Sequence, residues 1–349
     1  MNERVNYPQF RNRFLDNSFA NRFSIINIQL SKELYIDISF KVVDPKLDWV
    51  VHISGNHGIE GYIGSMIQSQ ALEDFTFQNF GKNILFVHAL NPYGMKYFRR
   101  MNSENIDLNR NALSDNERVE LRSRDTFRKY IDWNQSKNYL LFIWKTLNTL
   151  LQLRKLGIGW KKASLEIAQG QLVDKGSLFF CGENLSDELK LLKFHLEQII
   201  EPTKKVSVID VHSGLGDFMK ESLIVEYFDQ QEFNFWKDHF KGAEIIVPDG
   251  TQGYYKVNGG LSYLFKKQSP YQNINYIYQE FGTKPSFDVI AALVLENHQF
   301  QSKLLKLEDH YENEFSDQML DCFFPSNEDW QQFCLQRGLL RLKQALDPI

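Results

Sequence analysis

An α/β protein with a mixed, mostly parallel central sheet flanked by helices is the fold class that the sequence predicts. Three observations predict it. Short apolar runs of strand length recur along the chain, they alternate with helix-like segments, and the densest polar clusters follow directly after the runs. Runs that stay apolar at every position indicate strands buried on both faces, as in parallel sheets covered by helices. In such sheets ligands sit beyond the carboxyl ends of the strands.

Trp49–Ser54 (WVVHIS) reads as the first buried strand and Gly61–Phe77 as the helix after it. Asn83–Ala89 (NILFVHA), Val206–Val211 (VSVIDV), Ser222–Phe228 and Tyr276–Phe281 (YIYQEF) read as four further strands. A charged and aromatic stretch between Asn116 and Lys162 has helical character and reads as an insertion, spanning about residues 112–175. Ser326–Ala345 reads as a closing amphipathic helix or helix pair. No linker rich in Pro, Gly or Ser divides the chain, so residues 1–349 are expected to form one domain.

Composition narrows the function. The 349 residues are 43% hydrophobic and 24% charged, enough for a large core. Forty basic residues against 44 acidic ones leave a net charge of −4, with no basic stripe, so neither nucleic acid nor an anionic membrane is an expected partner. The 28 Phe and 15 Tyr are expected to fill core. No segment reaches the roughly 20 apolar residues that span a bilayer, and MNERVNYPQF has no apolar leader core. The three cysteines, Cys181, Cys322 and Cys334, lack CxxC spacing, which argues against a disulfide framework and a thiolate metal site. A cytoplasmic protein is the expectation, and any metal would be held by His and carboxylate.

Four clusters carry chemistry. In Ser54-Gly55-Asn56-His57-Gly58-Ile59-Glu60-Gly61, His57 and Glu60 are three apart, a spacing that puts both side chains on one face of a turn or helix. An imidazole and a carboxylate so placed can reach one ion. In Asp210-Val211-His212-Ser213-Gly214, His212 stands at a strand end where it can be a third ligand, and Asp210 can orient an imidazole from behind. A catalytic zinc needs about three protein ligands and one open position. In Gln279-Glu280-Phe281-Gly282-Thr283, Glu280 lies in an otherwise apolar strand, where a partly dry carboxylate suits a general base that becomes a general acid. The loop from Asn91 through Arg99, Arg100, Asn109 and Arg110 to Asn111 is dense in Asn and Arg. Arginines beside a metal serve two purposes, gripping a carboxylate and stabilising an oxyanion. Each cluster alone has a plain structural reading, as a glycine turn, a strand-end histidine, an edge glutamate or an ion pair. All four follow strands.

In their order, HGIEG, NPYGMKYFRRMNSENIDLNRN, DVHSGLG and QEFGT resemble the zinc carboxypeptidase superfamily, which includes aspartoacylase-like deacylases. The wording is most similar to a bacterial branch of that superfamily defined as a domain of unknown function. The resemblance runs over roughly residues 35–300, with Phe324-Pro325 and Trp330 fitting the same branch. It implies a zinc carboxypeptidase-like fold of the phosphorylase/hydrolase-like kind and one zinc ion on His57, Glu60 and His212. It implies Glu280 as general base, Arg100 or else Arg99 as oxyanion stabiliser, and Asn109-Arg110 as the grip on a substrate carboxylate. The capping tyrosine of that superfamily has Tyr254 and Tyr255 as candidates.

The expected activity is hydrolysis of an amide bond next to a free carboxylate, on a peptide or small-molecule substrate. An N-acyl amino acid deacylase with the same metal site is the alternative. A metal- or ligand-binding protein without catalysis is the reading from another class. The long gap from Glu60 to His212 departs from the superfamily pattern and is attributed to the insertion.

Overall fold

A computed structural model describes residues 5–123, 168–226, 229–248, 257–302 and 314–347. Tyr254, Tyr255 and residues 124–167 of the expected insertion lie outside these described residues.

Eight strands form one sheet: β1 (Ser24–Ser31), β2 (Leu34–Lys41), β3 (Trp49–Ile53), β4 (Asn83–His88), β5 (Lys205–Ser213), β6 (Glu221–Ile224), β7 (Ile245–Ile246) and β8 (Asn273–Phe281). Their order across the sheet is β1-β2-β4-β3-β5-β8-β6-β7. The middle four, β4, β3, β5 and β8, run parallel. β2 joins β4 antiparallel, and β6 joins β8 antiparallel. The sheet is therefore mixed and mostly parallel at its centre, as expected from the apolar runs.

Every residue of β3 and β4 is buried, because neighbouring positions on each strand feed opposite cores. Val50, Phe86, Ile209 and Ile277 enter one core. Val51, Leu85, Val208 and Tyr276 enter the other. On the first face lie α1 (Tyr7–Ala20), α2 (Gly61–Asp74) and α10 (Glu328–Leu346). On the second lie α5 (Asp187–Ile199) and α7 (Leu261–Lys267). The remaining described helices are α3 (Pro92–Lys96), α4 (Asp115–Ser123), α6 (Gln230–His239), α8 (Ser286–Ser302) and α9 (Glu314–Phe323).

The expected strands occur with shifted ends. β5 and β8 start earlier than the apolar runs indicate, since hydrogen bonding continues into polar residues such as Lys205 and Asn273. The C-terminal segment is a single helix, started by the Asn327 side chain accepting from the Trp330 N–H at 2.8 Å. The first 48 residues, to which the sequence assigns no element, hold α1 and the β1–β2 hairpin. The hairpin forms an edge whose β1 is buried only at Ile28 and otherwise half-buried or exposed, and α1 packs on it with the Arg11–Asp37 ion pair at 2.7 Å. No helix among the described residues is long and apolar enough to cross a membrane.

Candidate metal centre

β3 ends at Ile53, and the chain turns through Ser54–Asn56 into a short 3₁₀ turn, Gly58–Glu60, that leads into α2. The turn puts His57 and Glu60 side by side, with His57 Nδ1 2.9 Å from Glu60 Oε1. The turn is pinned from outside: the N–H groups of Gly58 and Ile59 donate to the carbonyls of Arg100 and Arg99 at 3.2 and 2.9 Å. Gly58 is required there, since a Cβ would stand 2.2 Å from the Gly94 backbone. The HxxE turn and the arginine loop therefore lock into one unit.

His212 comes from the end of β5. Its Nδ1 lies 3.2 Å from His57 Nδ1 and 2.9 Å from Glu60 Oε2. His57, Glu60 and His212 are each 2–3% exposed, and they are the group among the described residues that can hold a metal ion, with one ligand atom from each lying within 4.8 Å of the others. Two imidazole nitrogens facing one another at 3.2 Å are joined either by a shared proton or by a cation between them. Tetrahedral geometry at zinc–nitrogen distances of 2.0–2.1 Å separates two ligand nitrogens by about 3.3 Å, close to the spacing found.

Carboxylates back both rings. Asp107 Oδ1 is 3.2 Å from His57 Nε2, and Asp210 Oδ2 is 3.0 Å from His212 Nε2. The Asp107 carboxylate, hydrogen-bonded behind His57, keeps the proton on its far nitrogen and leaves Nδ1 to face a cation, while Asp210 faces the far nitrogen of His212 as a charge neighbour. Asp210 is fixed in turn by the Asn56 amide at 2.9 Å and the Tyr276 hydroxyl at 2.8 Å. Asp107 also accepts from Arg110 Nη1 at 2.7 Å and Arg100 Nε at 3.1 Å.

The electrostatics follow from this layout. Burial pushes the Glu60 carboxyl up, but His57 and His212 outweigh it and hold the carboxyl far below its usual range. Burial pushes Asp107 up as well, and Arg110, Arg100 and His57 hold it well below that range. Burial lowers His212, yet Asp210 and Glu60 raise it well above its ordinary value. Carboxylates packed around two imidazoles make a site that favours positive charge.

Glu280 lies beside this cluster. It is the register partner of His212 on β8, and its Oε1 accepts from the Leu215 N–H at 2.9 Å. Burial and the neighbouring Glu60 push its carboxyl up to about 8, against His212, the Leu215 N–H and Arg100. Arg100, 11% exposed at its side chain, reaches Glu60 Oε1 with Nη1 at 3.3 Å. Arg99 points away: it is fully buried, paired with Glu296 and stacked 3.4 Å over the Phe300 ring. The structure therefore brings Arg100, and not Arg99, to the His57–Glu60–His212 group.

The Asn109-Arg110 pair divides. Arg110, 1% exposed, spends Nη1 on Asp107 and Nε on the Ala168 carbonyl at 2.7 Å each. Its guanidinium is turned to protein groups and not outward. Asn109 Oδ1 accepts from the Leu261 N–H at 2.9 Å and the Tyr278 hydroxyl at 3.3 Å, so its NH2 is the group turned away from these partners. Cys181 is buried, and its thiol is pushed up to about 12 by that burial, which fits a packed residue and not a nucleophile.

Sequence reasoning passed over Asp107, Asn56, Tyr276 and Tyr278. Asp107 carries a readable signal, its i,i+3 spacing to Arg110. Tyr276, Tyr278 and Glu280 carry another, since alternate residues of a strand share a face.

A family model described as "Protein of unknown function (DUF2817)" matches residues 5–337. No curated protein matches the sequence. Among solved structures the chain is similar to bovine thrombin-activatable fibrinolysis inhibitor in complex with tick carboxypeptidase inhibitor, at 12% identity over 98% of this chain and 97% of that one, with a TM-score of 0.47. It is similar to a candidate metallopeptidase of Shewanella baltica OS155 at 10% identity over 96% and 91%, with a TM-score of 0.47. It is also similar to the murein-tripeptide amidase of Escherichia coli O157 at 14% identity over 78% and 88%, with a TM-score of 0.39.

Proposed function

The chain belongs to the family described as Protein of unknown function (DUF2817), and from that premise we propose a function read from the site: a zinc-dependent hydrolase that cleaves an amide bond next to a free carboxylate. One observation carries the reading. Two imidazoles and a carboxylate meet around one point, with Glu280, whose carboxyl is pushed up to about 8, next to them.

In this reading His57, Glu60 and His212 hold one zinc ion, whose chemistry when bound is Lewis-acid activation of water and of the scissile carbonyl. Glu280 takes a proton from the attacking water on a carboxylate oxygen and passes it to the departing amine. Burial suits it to the second step, because a raised pKa makes its protonated form accessible near neutral pH. Arg100 faces the oxyanion that forms on the carbonyl oxygen. The Asn109 NH2 donates to the substrate's carboxylate and fixes the bond to be cut against the metal centre. Arg110 lies behind Asp107 and adds positive potential without direct contact, a change from the gripping role expected of it.

The test pairs metal analysis of the purified chain with a panel of peptides and N-acyl amino acids. About one zinc per chain with turnover of carboxylate-bearing amides supports the proposal. A fully loaded protein that cleaves none of them refutes it. Preference for N-acyl amino acids over peptides would select the deacylase form of the same chemistry.

A further inference from the structure

Tyr278 is two residues before Glu280 on β8 and projects from the same face of the sheet. Its hydroxyl lies 3.3 Å from Asn109 Oδ1 and 3.0 Å from Glu226 Oε2, and it accepts from the Ser262 N–H at 3.4 Å. Glu226 is 6% exposed and also accepts from the Ser262 hydroxyl. The Tyr278 ring sits 5.5 Å from that of His212. Gly260 packs over the hydroxyl, where a Cβ would stand 2.8 Å away. The hydroxyl, with one proton to give, thus stands against two side-chain oxygens and one N–H within a buried polar wall.

This wall controls an orientation with chemical meaning. An Asn amide has an acceptor end and a donor end. The Leu261 N–H can only donate, so it requires the acceptor end of Asn109, and the Tyr278 hydroxyl stands beside the same oxygen. The donor end is left to face outward, with no hydrogen-bond partner among the described residues. A donor there matches a carboxylate oxygen. Turned over, the same amide would present an acceptor and match a carboxamide NH2.

We propose that Tyr278, with the backbone N–H of Leu261, is a positioning residue that holds the Asn109 amide donor-outward, and that this orientation selects a free carboxylate over a carboxamide. The inference rests on the hydrolase reading above and adds to it the source of the carboxylate preference.

The experiment uses the zinc-loaded full chain and paired substrates, an N-acyl amino acid and the same compound as its carboxamide. The wild type is expected to favour the acid. In Tyr278→Phe, KM for the acid is expected to rise about 5- to 10-fold, as for loss of one hydrogen bond, with kcat within about twofold and the carboxamide unchanged. Gly260→Ala, which displaces the hydroxyl without removing it, is expected to act in the same direction. Asn109→Ala should lose the preference, and adding Tyr278→Phe to it should then have no further effect on the ratio. Equal losses on both substrates, a kcat effect without a KM effect, or an undiminished Tyr278→Phe effect in the Asn109→Ala background would overturn the proposal. Failure of the hydrolase reading is distinguishable, because the wild type would then turn over neither substrate. Calorimetric binding of N-acetylleucine and N-acetylleucinamide reads the orientation in that case: tighter binding of the acid, reduced by Tyr278→Phe, supports it, and equal binding of both by the wild type overturns it.

Discussion

His212 and Glu280 are register partners on neighbouring parallel strands, so their side chains leave the same face of the sheet at the same height. This pairing sets a metal-ligand candidate and a base candidate at a separation governed by strand spacing. Glu280→Gln should keep the metal, because Glu280 is not among the three grouped ligands, and should lose at least about a hundredfold in kcat/KM. Full activity in that variant, with zinc measured by plasma emission, would remove Glu280 from the mechanism.

His212→Ala removes one of the three grouped ligands and leaves Glu60 and Asp210 without their shared partner. The variant is expected to bind no stoichiometric zinc after dialysis. Metal content equal to that of the parent would reject the ligand set.

Asp107→Asn keeps the shape but removes the charge that His57, Arg100 and Arg110 share. Zinc affinity, read by competition with a chelator, should fall about 10- to 100-fold. An unchanged affinity would show that Asp107 serves the arginines alone.

His52 and His88 are fully buried on β3 and β4, and burial depresses both to about 4. The unfolded chain binds their protons below about 6.5, whereas the folded chain binds them only below about 4, so stability falls as the pH drops through that window. At pH 5 each should have lost about 2 kcal/mol relative to pH 7. Because Glu280 and His212 shift in the opposite sense, denaturant unfolding at the two pH values is compared between the parent and a His52→Gln/His88→Gln variant. The same pH dependence in both would remove the two histidines as its source.

Gly58→Ala should disturb the unit formed by the HxxE turn and the arginine loop, because its Cβ would meet the Gly94 backbone at 2.2 Å and neither segment can yield alone. A loss of about 1–3 kcal/mol with weakened zinc binding is expected. Unchanged melting and metal content would show that the two segments separate easily.

The centre of the sheet was legible because β3 and β4 are mostly apolar and buried at every position, as a strand covered on both faces requires. His57, Glu60, His212 and Glu280 were legible because polar groups at the ends of such strands stand out. The β1–β2 hairpin was not, since an edge strand with one wet face, such as SIINIQLS, mixes polar and apolar residues in a pattern that a loop also shows. The commitment of Arg110 to Asp107 and Ala168 was hidden for a different reason. Residue type tells that a guanidinium can grip a carboxylate, but only packing decides whether that carboxylate is a substrate's or the protein's own. Tyr276 and Tyr278 read as ordinary strand aromatics, although each lends its hydroxyl to a site residue.

β8 is made after β6 and β7 yet lies between β5 and β6. During synthesis, the flank of β5 that carries His212 thus has no neighbour until residues 273–281 have left the ribosome. The same nine residues deliver Glu280. The side chains of the candidate site therefore come together only once the sheet has closed.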